Sequence, residues 1–251
     1  MRELIKLLLK PLYKRYNNIN IRISNLEKAL YFFVDQPKYI PSNAIGFNGQ
    51  QFRKKIFCEL LNLFNFDVII ETGTYVGNTT GYMREASNLP IITCEIDRCF
   101  HAIAKDKLKV INNITFKLGD SRKVLKELFT ESFLYNNCFI YLDAHWYDDL
   151  PLKEEIALIG NKLKANSTIM IDDFKVPLDD GYKYDCYGEN RSLALECFSS
   201  NFLEFDFIPY FPVATSNEET GAKNGCVVLI HKNNVEKMNK SQYLQKFDLQ
   251  K

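Results

Sequence analysis

The sequence predicts an α/β fold, a mostly parallel seven-stranded sheet with an antiparallel edge pair, preceded by a helical N-terminal extension. Three observations carry that expectation. From residue 67 onward, short apolar runs rich in β-branched residues alternate with stretches of helical length and patterning, which is a βαβ series with helices on both faces of a parallel sheet. The series ends in two apolar runs joined by a polar loop of about 14 residues, which read as an antiparallel pair closing one edge. No repeat, low-complexity tract or linker interrupts residues 45–235.

In order, the first 16 residues hold Arg2, Lys6, Lys10, Lys14 and Arg15 against Glu3. Leu4, Ile5, Leu7, Leu8 and Leu9 suit a short amphipathic helix that Pro11 would stop. Ser24–Val34 is helical in pattern, Gln36–Ser42 is a Pro-containing loop, and Gly49–Phe64 forms a helix with Phe52, Ile56, Leu60, Leu61 and Phe64 on one face. Strands are expected over Asp67–Glu71, Ile91–Glu95, Ile114–Leu118, Cys138–Asp143 and Thr168–Asp173. The helices between them are Asn78–Ser87, Asp97–Val110, Ser121–Phe133 and Leu152–Leu163. A Gly/Asp/Tyr-rich segment, Asp179–Asn190, leads to a helix near Ser192–Ser199 and the closing strands Phe202–Phe211 and Cys226–His231. The domain plan is an extension over 1–44, an α/β domain over 45–235 and a tail over 236–251.

Of 251 residues, 46% are apolar and 25% charged, ordinary globular proportions that exclude disordered and collagenous classes. No apolar run approaches the roughly 18 residues of a membrane span. Met1–Leu9 is too short for a signal-peptide core. The net charge of +1 argues against a nucleic-acid partner. Seven scattered cysteines without a C-x-x-C pair read as reduced thiols of a cytoplasmic protein, and no Cys or His pair has zinc-ligand spacing. The basic helix offers either a membrane-surface or partner-docking element, or a packed helix and homo-oligomer contact.

In an open parallel sheet, ligands gather at the carboxyl ends of the strands. The first strand ends in Glu71-Thr72-Gly73-Thr74-Tyr75-Val76-Gly77, whose G-x-x-x-G departs from the dinucleotide fingerprint G-x-G-x-x-G and lacks a Walker loop's Gly-Lys-Ser/Thr. The second ends at Glu95, 22 residues past Gly73, where a carboxylate can grip a ribose diol. The third ends in Gly119-Asp120-Ser121, which can reach an adenine edge or simply cap the next helix. Together these strand ends describe an adenosine pocket. The fourth strand ends in Asp143-Ala144-His145-Trp146 and the fifth in Asp172-Asp173. Carboxylates after apolar runs are costly unless paired or coordinating, and three converging oxygen ligands suit Mg²⁺. The alternative is that Asp172 caps a turn and Asp173 faces solvent. His145, near the first of these acids, titrates in the range of a general base, although Trp146 and Tyr147 could equally bury it.

With these residues in place, the chain resembles the class I S-adenosylmethionine-dependent methyltransferases, which have a Rossmann-like fold, over roughly residues 45–232. Asp143-x-His145 with Asp172-Asp173 is similar to the metal-dependent small-molecule O-methyltransferases of the macrocin and aminocoumarin sugar-tailoring type. The resemblance implies S-adenosylmethionine bound by Glu71, Gly73, Thr74, Gly77, Glu95, Asp120 and Ser121. It implies Mg²⁺ on Asp143, Asp172 and Asp173, and catalysis by His145 with Asp143. The implied acceptor is a hydroxyl of a small polar molecule, such as a sugar or glycan precursor. Arg53 and Tyr182 are candidate acceptor contacts, and Asp179–Asn190 and Thr215–Asn224 could overhang the cleft. A nucleotide-dependent oxidoreductase and a non-catalytic adenosine-binding scaffold stay open as rivals at this point.

Overall fold

The computed structural model of the chain describes residues 2–35, 45–130, 137–145, 150–160, 162–163, 166–188 and 191–249. The expected loop Gln36–Ser42, the expected helix end at 131–133, Trp146, Tyr147 and Asn190 lie outside these residues. Two units divide the chain, Met1–Ile40 and Pro41–Lys251.

The first unit is one helix, α1 (Arg2–Asp35), which runs through Pro11. The expected stop at Pro11 is therefore corrected, and the two short helices of the sequence reading are one. Proline's fixed φ is compatible with a helix, and its cost is one lost i→i−4 bond and a clash with the preceding turn. A long helix on both sides of it outweighs that local loss. No helix among the described residues is long and apolar enough to cross a membrane.

The second unit opens with a 3-10 turn at Gly46–Gly49 and α2 (Gln51–Leu63). There follow β1 (Val68–Thr72), α3 (Asn78–Ser87), β2 (Ile91–Glu95), α4 (Arg98–Lys107), β3 (Ile114–Leu118) and α5 (Ser121–Thr130). Then come β4 (Cys138–Leu142), α6 (Leu152–Gly160), β5 (Thr168–Asp172), α7 (Leu195–Glu204), β6 (Phe207–Pro212), β7 (Cys226–His231) and β8 (Leu244–Lys246). The sheet order is β3-β2-β1-β4-β5-β7-β6-β8. The first five strands pair in parallel, while β7 runs antiparallel to both β5 and β6. The expected antiparallel closing pair is present.

Two departures have plain physical reasons. The first residues of the expected strand Phe202–Phe211 belong to α7, because Phe198 and Phe202 stand four apart and bury on one helical face. The sheet has eight strands where seven were expected. Residues expected as a tail contribute β8, which pairs with β6 through Leu244↔Pro212 and Gln245↔Phe211. A three-residue strand with one buried side chain, Leu244, leaves no periodicity to read.

Alternation along the strands sorts the core into two layers. Val68, Ile70, Ile140, Leu142, Ile169 and Ile171 face a layer that includes Leu125, Ile156 and Phe198 from the helices. Ile69, Phe139, Tyr141 and Met170 face the other, with Phe47, Ile56, Phe57, Leu60 and Met83. β1, β2, β4 and β5 are buried along their whole length, as central parallel strands must be. β1 lies between β2 and β4, so the chain reverses direction of winding there and opens a crevice at the strand ends.

If β8 is part of the domain, Leu244→Ala should cost about 2–3 kcal/mol of unfolding free energy. Gln245→Ala and Lys246→Ala, at exposed positions, should change it by less than about 0.5 kcal/mol. Urea unfolding of the three variants checks the contrast.

Candidate functional site

The loop after β1 is built on left-handed backbone. Gly73 has φ +83°, Tyr75 +49° and Gly77 +77°. A Cβ at Gly73 would lie 2.0 Å from the Asp143 carbonyl oxygen, so glycine is required by close approach as well as by φ. The loop is pinned from beneath, with Gly73 and Thr74 N–H donating to the Cys94 carbonyl at 3.0 and 3.1 Å. The Asp143 N–H donates to the Thr72 carbonyl at 3.0 Å, and the ends of β1 and β4 therefore form one surface.

Glu71 stands under this loop, buried. Its Oε2 accepts hydrogen bonds from Thr80 at 2.5 Å and Thr93 at 2.6 Å, which anchors the start of α3. Burial pushes its carboxyl up to about 7 against the pull of those two hydroxyls. Glu95, at the end of β2, accepts from the backbone N–H of Tyr75 and of Asp97, both at 2.8 Å. Burial raises its pKa, and those N–H groups oppose the rise. Asp120 accepts from the Arg122 N–H at 2.9 Å and from the guanidinium at 2.6 Å, and Arg122 holds its carboxyl below the usual range. The helix-capping role weighed for Asp120 is the one its geometry displays, beside buried Ser121. Glu155, absent from the sequence reading, is fully buried on α6. Burial pushes it up to about 7, with the Ser121 and Thr72 hydroxyls and the Arg122 charge pulling the other way.

The acids at the ends of β4 and β5 separate into two environments. Asp172 is buried and tied to the Arg53 guanidinium through Oδ1 and to the Tyr141 hydroxyl through Oδ2. Its Oδ1 also accepts from the Asp173 N–H at 2.9 Å. Burial works to raise its pKa, but the Arg53 charge and these hydrogen bonds outweigh it and hold the carboxyl below the usual range. Arg53 itself is sealed in, and donates also to the Asn224 carbonyl at 2.6 Å. Arg53 is thus an internal counter-ion and is not free to meet an acceptor. Tyr182 is likewise buried, with its hydroxyl donating to the Ala214 carbonyl at 2.8 Å. The loop expected to overhang the cleft braces α2 instead, since Glu219 accepts from the Phe52 and Arg53 N–H groups at 3.0 and 3.1 Å.

Asp143 and Asp173 converge with His145. One ligand atom from each lies within 4.8 Å of the others. His145 Nε2 is 3.9 Å from Asp143 Oδ1 and from Asp173 Oδ2, beyond hydrogen-bond reach. The imidazole is 1% exposed, while the two carboxylates are 24% and 21% exposed and open outward. Both nitrogens of His145 and Asp173 Oδ1 are buried without a hydrogen-bond partner. Burial lowers the His145 pKa, with Asp185 and Asp172 opposing. Burial, then the charge of Asp172, raises Asp143 and pushes Asp173 up to about 8. Orphaned nitrogen and oxygen donors beside two crowded carboxylates fit a divalent cation, whose charge would relieve that repulsion. Asp173 has φ +50°, an uncommon conformation for a non-glycine residue that turns it away from Asp172 toward this cluster. On the rim, the Tyr187 hydroxyl donates to Asp185 Oδ2 at 2.5 Å, with the His145 carbonyl at 3.1 Å.

Known proteins of this architecture include the following. The family model described as O-methyltransferase matches residues 35–173, more than half of the chain. An O-methyltransferase from Bacillus cereus, solved in complex with SAH, is 15% identical, with 82% of this chain and 90% of that one covered and a TM-score of 0.54. The O-methyltransferase TomG of Streptomyces achromogenes, involved in tomaymycin synthesis and solved with SAM, is 15% identical over 71% of this chain and 79% of its own, with a TM-score of 0.52. The SAH-bound methyltransferase PaMTH1 of Podospora anserina is 16% identical over 84% and 87%, with a TM-score of 0.50. At these identities the likeness carries the fold. No curated protein matches the chain.

The raised carboxyl of Glu71 generates a pH prediction. A folded pKa of about 7, above the unfolded 4.5, gives stability that is fully present below pH 4.5 and lost as pH rises toward 7. Relative to Glu71→Gln, the wild type should lose about 3 kcal/mol between pH 4.5 and 7 and nothing further above that. Parallel stability curves for the two proteins across this range would contradict the assignment.

Proposed function

This chain belongs to the O-methyltransferase family, and on that premise we propose that it moves a methyl group from S-adenosylmethionine to a hydroxyl of a small polar acceptor, with a divalent cation at the acceptor end. The observation that carries the proposal is the Asp143–His145–Asp173 cluster lying directly against the Gly73 loop.

The proposed cofactor contacts follow from what each strand end leaves available. Gly73, Thr74 and Gly77 give backbone without side-chain obstruction, and Glu95 keeps carboxylate lone pairs beyond those its two backbone N–H groups use. Asp120 and Ser121 border the adenine end. Glu71 supports the loop from beneath through Thr80 and Thr93 and is not placed to touch a ligand itself.

At the acceptor end, Asp143, Asp173 and His145 would hold the cation. A bound divalent ion would lower the pKa of a coordinated acceptor hydroxyl and screen the two carboxylates. Mg²⁺ was expected on three carboxylates, but Asp172 is neutralised by Arg53, and an imidazole in its stead favours a borderline ion such as Fe²⁺ or Zn²⁺ over Mg²⁺. His145 Nε2 cannot both ligate and accept a proton, so the general-base role expected for it yields to coordination. Asp172 is a positioning residue: its Oδ1 receives the Asp173 N–H and fixes the turn that presents the Asp173 carboxylate. A vicinal diol, as in a sugar or glycan precursor, suits a chelating site rimmed by Asp185 and Tyr187.

Two substitutions should part company. Asp173→Asn should lower turnover by about 100-fold or more with the unfolding transition preserved and S-adenosylhomocysteine binding retained. Asp172→Asn leaves Arg53 buried without its counter-charge and should destabilise the fold by about 3–5 kcal/mol. Assay against nucleotide sugars, with mass detection of a product one CH₂ heavier, and with EDTA, Mg²⁺, Fe²⁺ or Zn²⁺, reads the activity. Full turnover in EDTA would defeat the metal assignment, and a thermal shift with NAD in place of S-adenosylhomocysteine would defeat the cofactor assignment.

A further inference from the structure

Along α1, Leu12, Tyr16, Ile19, Ile23, Leu26 and Leu30 follow one another at spacings of 4, 3, 4, 3 and 4 residues. All six are 47–65% exposed and form one apolar seam along the helix, about five turns in length. In the sequence the same spacing continues back to Leu9 and Ile5 and forward to Phe33. A strict 3.5-residue period sustained over four heptads is the pattern of a coiled-coil seam, with Tyr16, Ile23 and Leu30 at one core position and Leu12, Ile19 and Leu26 at the other.

We propose that α1 pairs with α1 of a second copy of this chain as a parallel, in-register two-stranded coiled coil. The flanking positions select this arrangement. In a parallel pair, Arg22 meets Glu27 of the second copy, twice by symmetry, and Arg15 meets the neutral Asn20. An antiparallel pair would set Arg15 against Arg22, a like-charge contact repeated at both ends. The core positions mix residue types, Tyr16, Ile23 and Leu30 at one and Leu12, Ile19 and Leu26 at the other, so the flanking charges and not the core select the arrangement. A lipid surface fits less well, because such helices carry a broad apolar face, whereas this seam keeps the narrow 3.5-residue spacing and sets Glu27 opposite Arg22 on its borders.

Sedimentation equilibrium of the full chain, from sub-micromolar to tens of micromolar, tests the proposal. A dimer is expected, and Ile19→Glu with Ile23→Glu should make it monomeric while the cooperative thermal transition of the chain is unchanged. Arg22→Glu should weaken dimerisation by about tenfold, and adding Glu27→Arg should restore it. A monomer at all concentrations, a trimer, or a dimer that survives the paired glutamates would overturn the coiled coil. A double charge swap no better than Arg22→Glu alone would overturn the parallel register. Binding of the monomer to phosphatidylglycerol vesicles would assign the seam to lipid instead.

Discussion

A guanidinium cannot be withdrawn from water without a partner, and the way Arg53 meets that requirement organises much of the second unit. It reaches from α2 to Asp172 at the end of β5 and to the Asn224 carbonyl just before β7. Removing either member of such a buried pair leaves an uncompensated charge, far more costly than never having had the pair. Glu219 supports the arrangement from outside by accepting the first N–H groups of α2, where the helix dipole favours a carboxylate. Because Arg53 offsets the charge of Asp172 alone, Asp143 and Asp173 are left with burial and the neighbouring carboxylates, which raise both of them.

The cleft therefore contains two kinds of buried acid. Glu71 and Glu155 lie deep and are pushed up by burial, and Glu71 acts as a polar support for the β1 loop through Thr80 and Thr93. Asp143 and Asp173 keep partial access to solvent and stand beside an imidazole sealed on its inner side. The boundary between the two sets runs through Gly73, whose missing side chain lets the donor loop rest on the backbone of Asp143. Donor and acceptor ends of the site share a single wall.

How much of this was legible in the sequence depended on whether the signal was local. Ile91–Glu95 and Ile114–Leu118 were read to the residue because β-branched runs between turn residues are a short-range pattern. The strand-end acids followed from the same pattern, since a carboxylate closing an apolar run is conspicuous. Which acid would be neutralised was illegible, because Arg53 and Asp172 are 119 residues apart and nothing near either one announces the other. Glu155 was missed for a similar reason, as a Glu in an acidic first helical turn looks solvated until the fold buries it. Pro11 misled by a true local rule that a long helix overrode, and β8 was too short to carry any pattern.

The placement of β7 between β5 and β6 has a consequence for how the protein comes into being. Arg53 and its acceptor at Asn224 are 171 residues apart, and Asp172 pairs with Cys226 across the β5–β7 ladder. During synthesis, a nascent chain that has exposed β1 to β5 to solvent has every candidate ligand but lacks the strand and loop that seal Arg53 against Asp172. The pair is covered, and its third hydrogen-bond partner supplied, only when the last quarter of the chain arrives, a non-local step of the kind that slows folding. A ribosome-bound intermediate would thus carry an Arg53–Asp172 pair open to water and an open sheet edge beside β5, the features by which quality control can tell an unfinished copy from a finished one.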